Sequence, residues 1–454
     1  MSELKRKLFG TDGIRGVANT YPMTPEVSLN VGKAITKYLF ENGIKKPKIL
    51  IGKDTRLSGY VFEQAIASGI TSMGGDALLV GPLPTPAIAF LTASMRADAG
   101  VVISASHNPY QDNGIKIFDK DGFKYNDENE LKIENMVLDS EKYLSGSPLN
   151  IGKAKRIDDA IGRYIVFLKN TFPKNLTLEG MKIVIDCANG AAYKVAPIIY
   201  EELGAKIFTI GTQPDGRNIN VDCGSLCPEK IKEKVLETNS DIGIALDGDA
   251  DRVIICDENG NEIDGDKVLA ICAEYMIDNN RLSNNTVVST HMSNMALENY
   301  LSSKGVKMHR TPVGDRYVVD AMRKLNSNLG GEKSGHIIFL DYSTTGDGIL
   351  ASLQILAIMQ MTKKKLSQLA GIIDLFPQKL NSVKVNEKKP FEQIPGLLDL
   401  IRRYEKELDN KGRINLRYSG TESLARVMVE GQSEMVINNI ANEISSFINN
   451  QIGE

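Results

Sequence analysis

The chain has 454 residues, 42% of them hydrophobic and 24% charged, and 54 basic side chains against 57 acidic ones leave a net charge of −3. That length is enough for several domains. Mixed charge without a basic stripe argues against nucleic acid as a partner, and no apolar run is long enough to span a membrane. The charged start, Met1-Ser-Glu-Leu-Lys-Arg-Lys7, has no apolar segment behind it and does not read as a secretory signal. Five scattered cysteines (Cys187, Cys223, Cys227, Cys256 and Cys272) fit the reducing cytoplasm. Cys223 and Cys227 lack the second pair a zinc site needs, so free thiols are expected.

In chain order, Leu8-Phe-Gly-Thr-Asp-Gly-Ile-Arg-Gly16 comes first. Its glycines let backbone N–H groups approach an anion, with Arg15 as a forked donor. Apolar residues at helical spacing (Val27, Val31, Ala34, Ile35, Tyr38, Leu39) predict a helix over 24–42, stopped by Gly43. A strand over 48–52, a helix over 62–73 closed by Gly74-Gly75, and a strand over 77–80 follow. The run over 101–103 reads as a buried strand, broken at Ser104-Ala-Ser-His-Asn-Pro109 before a strand over 115–118.

The strand–helix–glycine–strand pattern recurs twice, at 182–186, 194–203, Gly204 and 206–210, and at 286–290, 295–303, Gly305 and 306–309. Three related α/β domains with mixed sheets are therefore expected. The charged helical stretch 127–146 reads as the first linker. Asp257-Glu-Asn-Gly-Asn261 reads as a second boundary, ahead of a helix over 267–278, and a helix over 347–361 closes the third domain. Past Lys363, strands over 383–385, 414–417 and 425–430 with helices over 391–408 and 433–447 make a smaller C-terminal α+β domain. The expected domains are 1–150, 151–256, 257–366 and 367–454, set around a central cleft.

Four loops carry chemistry. The first presents Ser104 and Ser106 at a strand end beside His107 and Asn108, where open α/β sheets place their sites. In the second, Ile244-Ala-Leu-Asp-Gly-Asp-Ala-Asp-Arg252, three aspartates alternate after an apolar strand. Such crowding is costly unless a cation neutralises it, and hard oxygen donors suit Mg²⁺. Counted from Asp247, the sixth position is Arg252, where an EF-hand requires glycine, which rules that motif out. In the third, Gly330-Gly-Glu-Lys-Ser-Gly-His336, alternation would turn Glu332, Ser334 and His336 to one side of an extended loop, a carboxylate and a hydroxyl that suit sugar hydroxyls. The fourth, Arg417-Tyr-Ser-Gly-Thr-Glu-Ser-Leu-Ala-Arg426, forms a phosphate nest without the Gly-Lys-Ser/Thr ending of a nucleotide loop.

Taken together these residues are recognisable. Over nearly its whole length the chain resembles the α-D-phosphohexomutases, through Phe9-Gly-Thr-Asp-Gly-Ile-Arg-Gly16, Ser104-Ala-Ser-His-Asn-Pro109, Asp186-Cys-Ala-Asn-Gly-Ala191, Asp247-Gly-Asp-Ala-Asp-Arg252, Gly331-Glu-Lys-Ser-Gly-His336 and Arg417-Tyr-Ser-Gly-Thr-Glu422, in that order. The resemblance implies that Ser106, which directly precedes His-Asn-Pro, is the phosphorylated nucleophile. It implies that Asp247, Asp249 and Asp251 hold one Mg²⁺ together with the Ser106 phosphate. Arg15, His107, Lys116 and Arg252 would surround the transferring group, with Lys116 a candidate for proton transfer. Glu332, Ser334 and His336 would bind the sugar, and Arg417, Ser419, Gly420, Thr421 and Arg426 the other phosphate. The partner would be a small phosphosugar, and a homodimer is compatible with this reading.

Ala105 and Gly420 point, by resemblance, to the branch acting on glucosamine phosphates, with glucosamine 1,6-bisphosphate as intermediate and activator and a role in amino-sugar supply for the cell wall. The sister branches acting on mannose or glucose phosphates share every catalytic group. A phosphosugar phosphatase or a silent phosphosugar-binding protein are further alternatives. Two departures stand out: Ser423 where the family usually has proline, and Leu226-Cys227 where relatives often have Thr-His. The latter segment is expected to lie away from the reacting groups.

Overall fold

The computed structural model describes residues 6–10, 12–409, 411–419 and 423–453. Three of its four sheets are built to one plan. In the first, Asp76–Pro82, Lys48–Lys53 and Ala99–Ile103 lie side by side in parallel, and Asp112–Asp119 returns antiparallel to the last. In the second, Lys206–Ile210, Lys182–Asp186 and Ile242–Leu246 are followed by antiparallel Val253–Asp257. In the third, Lys307–Thr311, Thr286–Thr290 and Leu329–Gly331 are followed by Ile337–Phe339. The central strands Ala99–Ile103 and Ile242–Leu246 are buried throughout, which explains their unbroken apolar runs. One consequence matters for the site. The turns at 104–111, 247–252 and 332–336 occupy the same topological position in their domains, between the last parallel strand and its antiparallel return.

Each of these domains carries a further helix between its second and third parallel strands, outside the expected elements: Thr85–Ser94, Glu229–Thr238 and Asp315–Leu325. Thr85–Ser94 is buried almost all round and has no polar face to set a period. The predicted first helix is Pro25–Glu41, capped by Thr24, whose Oγ1 accepts the Val27 N–H at 3.3 Å. It crosses Gly59–Ser72 backbone to backbone, because a Cβ at Gly32 would meet the Ile66 carbonyl oxygen at 2.3 Å and one at Gly69 the Leu29 oxygen at 2.1 Å.

Some elements run across the expected boundaries. Ala154–Arg156 adds an edge strand to the first sheet beside Asp76–Pro82, so that sheet reaches past residue 150. Its three residues are exposed and carry no apolar signal. The turn at 257–261 joins Val253–Asp257 to Glu262–Ile263 in a hairpin of the second sheet. Leu366–Ala370 belongs to the core shared with Gly265–Asp278, beyond the expected end at 366. The stretch taken for a linker is helical at Asp127–Leu138 and Ser140–Tyr143, and Ile133 and Val137 join the first domain's core.

In the fourth domain Gln378–Lys384, Leu424–Gly431 and Gly412–Tyr418 form an antiparallel sheet under Leu397–Leu408 and Glu434–Ile452. The helix expected from 391 starts at 397, after Pro395 and a left-handed Gly396 (φ +80°). One core runs through the second and third domains and along one side of the first, while the fourth domain has its own. Polar bonds tie it to the third: buried Glu430 accepts the Met295 N–H at 2.7 Å, and Gln378 Nε2 donates to the Met292 carbonyl at 3.3 Å. Among the described residues no helix is long and apolar enough to cross a membrane.

Candidate active site

Ser106 sits in the left-handed region (φ +51°) with 1% of its surface exposed. Its hydroxyl donates to Asp247 Oδ2 at 2.5 Å and lies 3.2 Å from His107 Nδ1. Ser104 has a different task. Its Oγ accepts the Ser106 N–H at 2.9 Å and donates to Asp54 Oδ2 at 2.6 Å, so it holds the loop and faces away from the cavity chemistry.

Asp247, Asp249 and Asp251 are all buried and offer oxygens within 4.8 Å of one another. Asp249 Oδ2 accepts from Thr85 Oγ1 at 2.7 Å and Lys116 Nζ at 3.1 Å. Oδ1 of Asp249 and Oδ1 of Asp251 are buried with no hydrogen-bond partner. Burial, and the charges of Asp251 and Asp249, push the Asp247 carboxyl well above the carboxylate range. Burial would raise Asp251 too, but Lys116, His336 and Arg252 outweigh it and hold that group well below. Orphaned, convergent, hard oxygen donors fit a divalent cation.

Around this loop runs a closed ring of alternating charge drawn from three domains. Lys116 Nζ lies 3.1 Å from Asp12 and 3.5 Å from Asp251. Lys124 bridges Asp12 at 2.5 Å and Asp315 at 2.6 Å. His336 closes the ring, with Nε2 3.5 Å from Asp315 and Nδ1 3.7 Å from Asp251. Burial opposes charge on Lys116, yet Asp12, Asp249 and Asp251 raise its pKa. His336 is likewise raised, by Asp251 and Asp315 against burial. The Gly346 N–H donates to its Nε2 at 3.0 Å, which places the neutral ring's proton on Nδ1, toward Asp251. Burial, with Arg252 and Arg15, pushes His107 down to about 4, leaving it neutral near pH 7.

A cavity of about 560 Å³ opens over this ring, lined among others by Arg15, His107, Lys124, Arg252, Glu332 and His336. Glu332 is 7% exposed and its Oε1 accepts the Gly314 N–H at 3.0 Å. The three alternating residues of this loop do not face one way. Gly335 (φ +88°) turns the chain, leaving Ser334 exposed, 3.5 Å from Glu332 Oε2, and His336 buried on Asp251. No described residue of the fourth domain lines the cavity. There Arg417 faces Arg426 on the neighbouring strand, and burial and that like charge lower the Arg417 guanidinium while Glu332 opposes them. An anion would relieve such a pair. Ser419 is 5% exposed and its carbonyl accepts Lys388 Nζ at 2.6 Å. Gly420 and Thr421 lie outside the described residues.

Sequence reasoning missed Asp12, Asp54, Thr85, Lys124, Asn220 and Asp315. Asp12 lay inside the glycine-rich motif, but nothing local marks Thr85 or Asn220, which matter through partners far along the chain. The departing Cys223–Cys227 segment is also nearer than expected: Gly224 N–H donates to Asp186 at 2.7 Å and Ser225 N–H to the Leu246 carbonyl, next to Asp247, at 3.0 Å. All five cysteines are free thiols.

Family models for phosphoglucomutase/phosphomannomutase α/β/α domains I, II and III and the C-terminal domain match residues 6–144, 162–260, 264–376 and 380–446. The chain belongs to the phosphoglucomutase/phosphomannomutase family. Among its relatives in that family, phosphoglucosamine mutase of Geobacter metallireducens is 58% identical over 450 residues, 99% of both chains. That of Nitratidesulfovibrio vulgaris is 56% identical over 444 residues, 98% of both. The fold is shared with a phosphoglucomutase/phosphomannomutase family protein of Burkholderia thailandensis (TM-score 0.82, 23% identity, 98% and 97% of the two chains). It is shared too with Aspergillus fumigatus N-acetylphosphoglucosamine mutase, solved with GlcNAc-6P and magnesium (TM-score 0.70, 18% identity, 98% and 96%).

Proposed function

We propose that the chain is a phosphoglucosamine mutase, interconverting glucosamine 6-phosphate and glucosamine 1-phosphate by way of a phosphorylated Ser106. The observation that carries this is the Ser106 hydroxyl at 2.5 Å from a buried three-aspartate loop with orphaned oxygens. Near-full-length relatives of that name, 56% and 58% identical, supply the substrate.

Phosphoryl transfer is mostly positioning and charge neutralisation. The phosphorus–Oγ bond of phospho-Ser106 breaks as a bond to the sugar 6- or 1-oxygen forms. The sugar hydroxyl gives up its proton and the departing Ser106 oxygen takes one up, with Lys116 the candidate to carry it. The resulting glucosamine 1,6-bisphosphate turns within the cavity and returns its other phosphate to Ser106. Asp247, Asp249 and Asp251 would hold Mg²⁺ with the Ser106 phosphate, and a divalent ion there supplies neutralisation of the phosphoryl charge. Arg15, Arg252 and neutral His107 flank that phosphate. Glu332 and Ser334 would bind sugar hydroxyls, with His336 beneath them on Asp251, and Arg417, Ser419, Gly420, Thr421 and Arg426 would hold the phosphate that is not reacting. The product would feed amino-sugar precursors of the cell wall in the cytoplasm.

Mass spectrometry of the protein incubated with glucosamine 1,6-bisphosphate tests this reading. One phosphate should appear on Ser106, and when it carries a label, that label should pass to the sugar phosphate on addition of glucosamine 1-phosphate while Ser106 is phosphorylated again. Phosphate on another residue, or none, would overturn it, and steady release of inorganic phosphate would mark a phosphatase instead.

A further inference from the structure

Arg56 is fully buried, yet its five N–H groups all have acceptors. Nε donates to Asp54 Oδ2 at 2.7 Å. The other four go to backbone carbonyls of one loop: Ser106 and Asn108 at 2.8 Å each, Asp112 at 3.1 Å, and Pro109. Asp54, also fully buried, accepts the Ser104 hydroxyl as well. From the second domain, Asn220 Nδ2 donates to two of the same carbonyls, Ser106 at 2.9 Å and Asn108 at 3.1 Å. The bonds from the Arg56 Nη atoms and from Asn220 all end on backbone carbonyls, and none uses the Ser106 hydroxyl.

We infer that Arg56 and Asn220 are positioning residues: a clamp across two domains that holds the nucleophile loop in its left-handed shape with Ser106 Oγ aimed at Asp247. This rests on the reading of Ser106 as the phosphate carrier. A non-glycine residue at positive φ persists only where its surroundings over-determine it, and here they do. The need follows from the cycle. The same oxygen must give up a phosphate and regain one, so its position has to be the same bare and phosphorylated while the bisphosphate turns. Asp54 neutralises the Arg56 charge, so Arg56 acts through the loop. Lysine cannot replace it, having three donors for five acceptors and no planar fork.

The test uses Asn220→Ala, Arg56→Lys and the double variant in the full chain. It reads hydrogen exchange of amides 104–113, kcat and KM for glucosamine 6-phosphate, and the fraction folded. In both single variants the loop amides exchange faster and kcat falls, roughly 10- to 100-fold for Arg56→Lys, as expected for misplaced reacting groups. KM stays within about twofold, because the sugar and distal-phosphate groups are untouched, and the two effects are not additive because they share carbonyls. Unchanged exchange with unchanged kcat, or a loss of kcat that only tracks the unfolded fraction, overturns the clamp. If Arg56→Lys does not fold, Asn220→Ala decides alone, since it removes a half-buried amide from a loop. A wild-type protein that never carries phosphate on Ser106 would sink the mutase reading, whereas loop exchange judges the clamp independently of it.

Discussion

Three carboxylates share one buried loop, and Asp247 bears the strain of it, its proton affinity raised by burial and by its two neighbours. Asp247→Asn should therefore raise the melting temperature in metal-free buffer by a few degrees, because it removes a group that folding must either protonate or leave charged beside two like charges. Mg²⁺ should raise the melting temperature of the wild type and much less that of the variant. Calorimetry with and without the ion checks both, and a variant less stable than the wild type without metal would contradict the account. Beside it, Gly248 has no room for a side chain: a Cβ would meet the Ser106 carbonyl oxygen at 2.6 Å. Gly248→Ala should push the two loops apart and lower kcat roughly 10- to 100-fold with the fold intact, which steady-state kinetics beside circular dichroism would show. At this scale the sequence was legible where chemistry clusters in one motif. The aspartates and Glu332 stood out by local pattern, while Ser106 was set apart from Ser104 only by the family resemblance. Asp54, Thr85 and Asn220 could not, because each acts through a partner that only the fold brings near.

The helix Gly265–Asp278 opens with Asp264 as its cap, accepting the Lys267 N–H at 3.1 Å, and with Asp266 beneath it, wholly buried. Asp266 accepts the Asn294 N–H at 2.9 Å through Oδ2, while Oδ1 has no partner. Burial, and the charge of Asp264, push its pKa from 3.8 up to about 7. The folded protein thus keeps a proton that the unfolded chain releases, and this group's contribution to stability falls as pH rises from about 4 to about 7. Asp266→Asn removes that dependence. Its stability advantage over the wild type should grow across the same range, level off above it, and reach a few kcal/mol at most. Denaturant melts at several pH values check this, and an advantage that shrinks with rising pH would contradict it. Among elements, strands bounded by glycine were readable because β-branched runs and left-handed stops are local signals. Thr85–Ser94 and Ala154–Arg156 were not, one buried on all sides and the other exposed on all sides, so neither shows an amphipathic period.

Across the whole molecule, two adjacent residues of the third domain reach back to the first. Asp315 takes Lys124, and Arg316 forks onto Glu130 with Asp127 beside it. Arg316 and Glu130 are almost wholly buried, and Arg6 also donates to Glu130 at 2.6 Å, so Arg316→Ala should weaken this carboxylate's pairing without stranding it and cost about 2 kcal/mol of stability. A thermal melt that moves by less than a degree would show that this clasp is incidental. The first three domains are thereby held as one cup around the cavity. The fourth has a separate core and meets the third through a polar seam, the kind of interface across which domains move. The repeated α/β plan was readable from recurring pattern. That its three reactive loops are one turn used three times became visible only in the strand order, because the loops share a place and no residues.

The most direct test of the central claim is kcat/KM for glucosamine 1-phosphate beside glucose 1-phosphate and mannose 1-phosphate. Mg²⁺ and the matching bisphosphate should be present, with Ser106→Ala as control. A strong preference for glucosamine 1-phosphate that vanishes in Ser106→Ala is the predicted result. Equal or better rates on glucose or mannose phosphates would contradict the substrate, and substantial turnover by Ser106→Ala would contradict the mechanism.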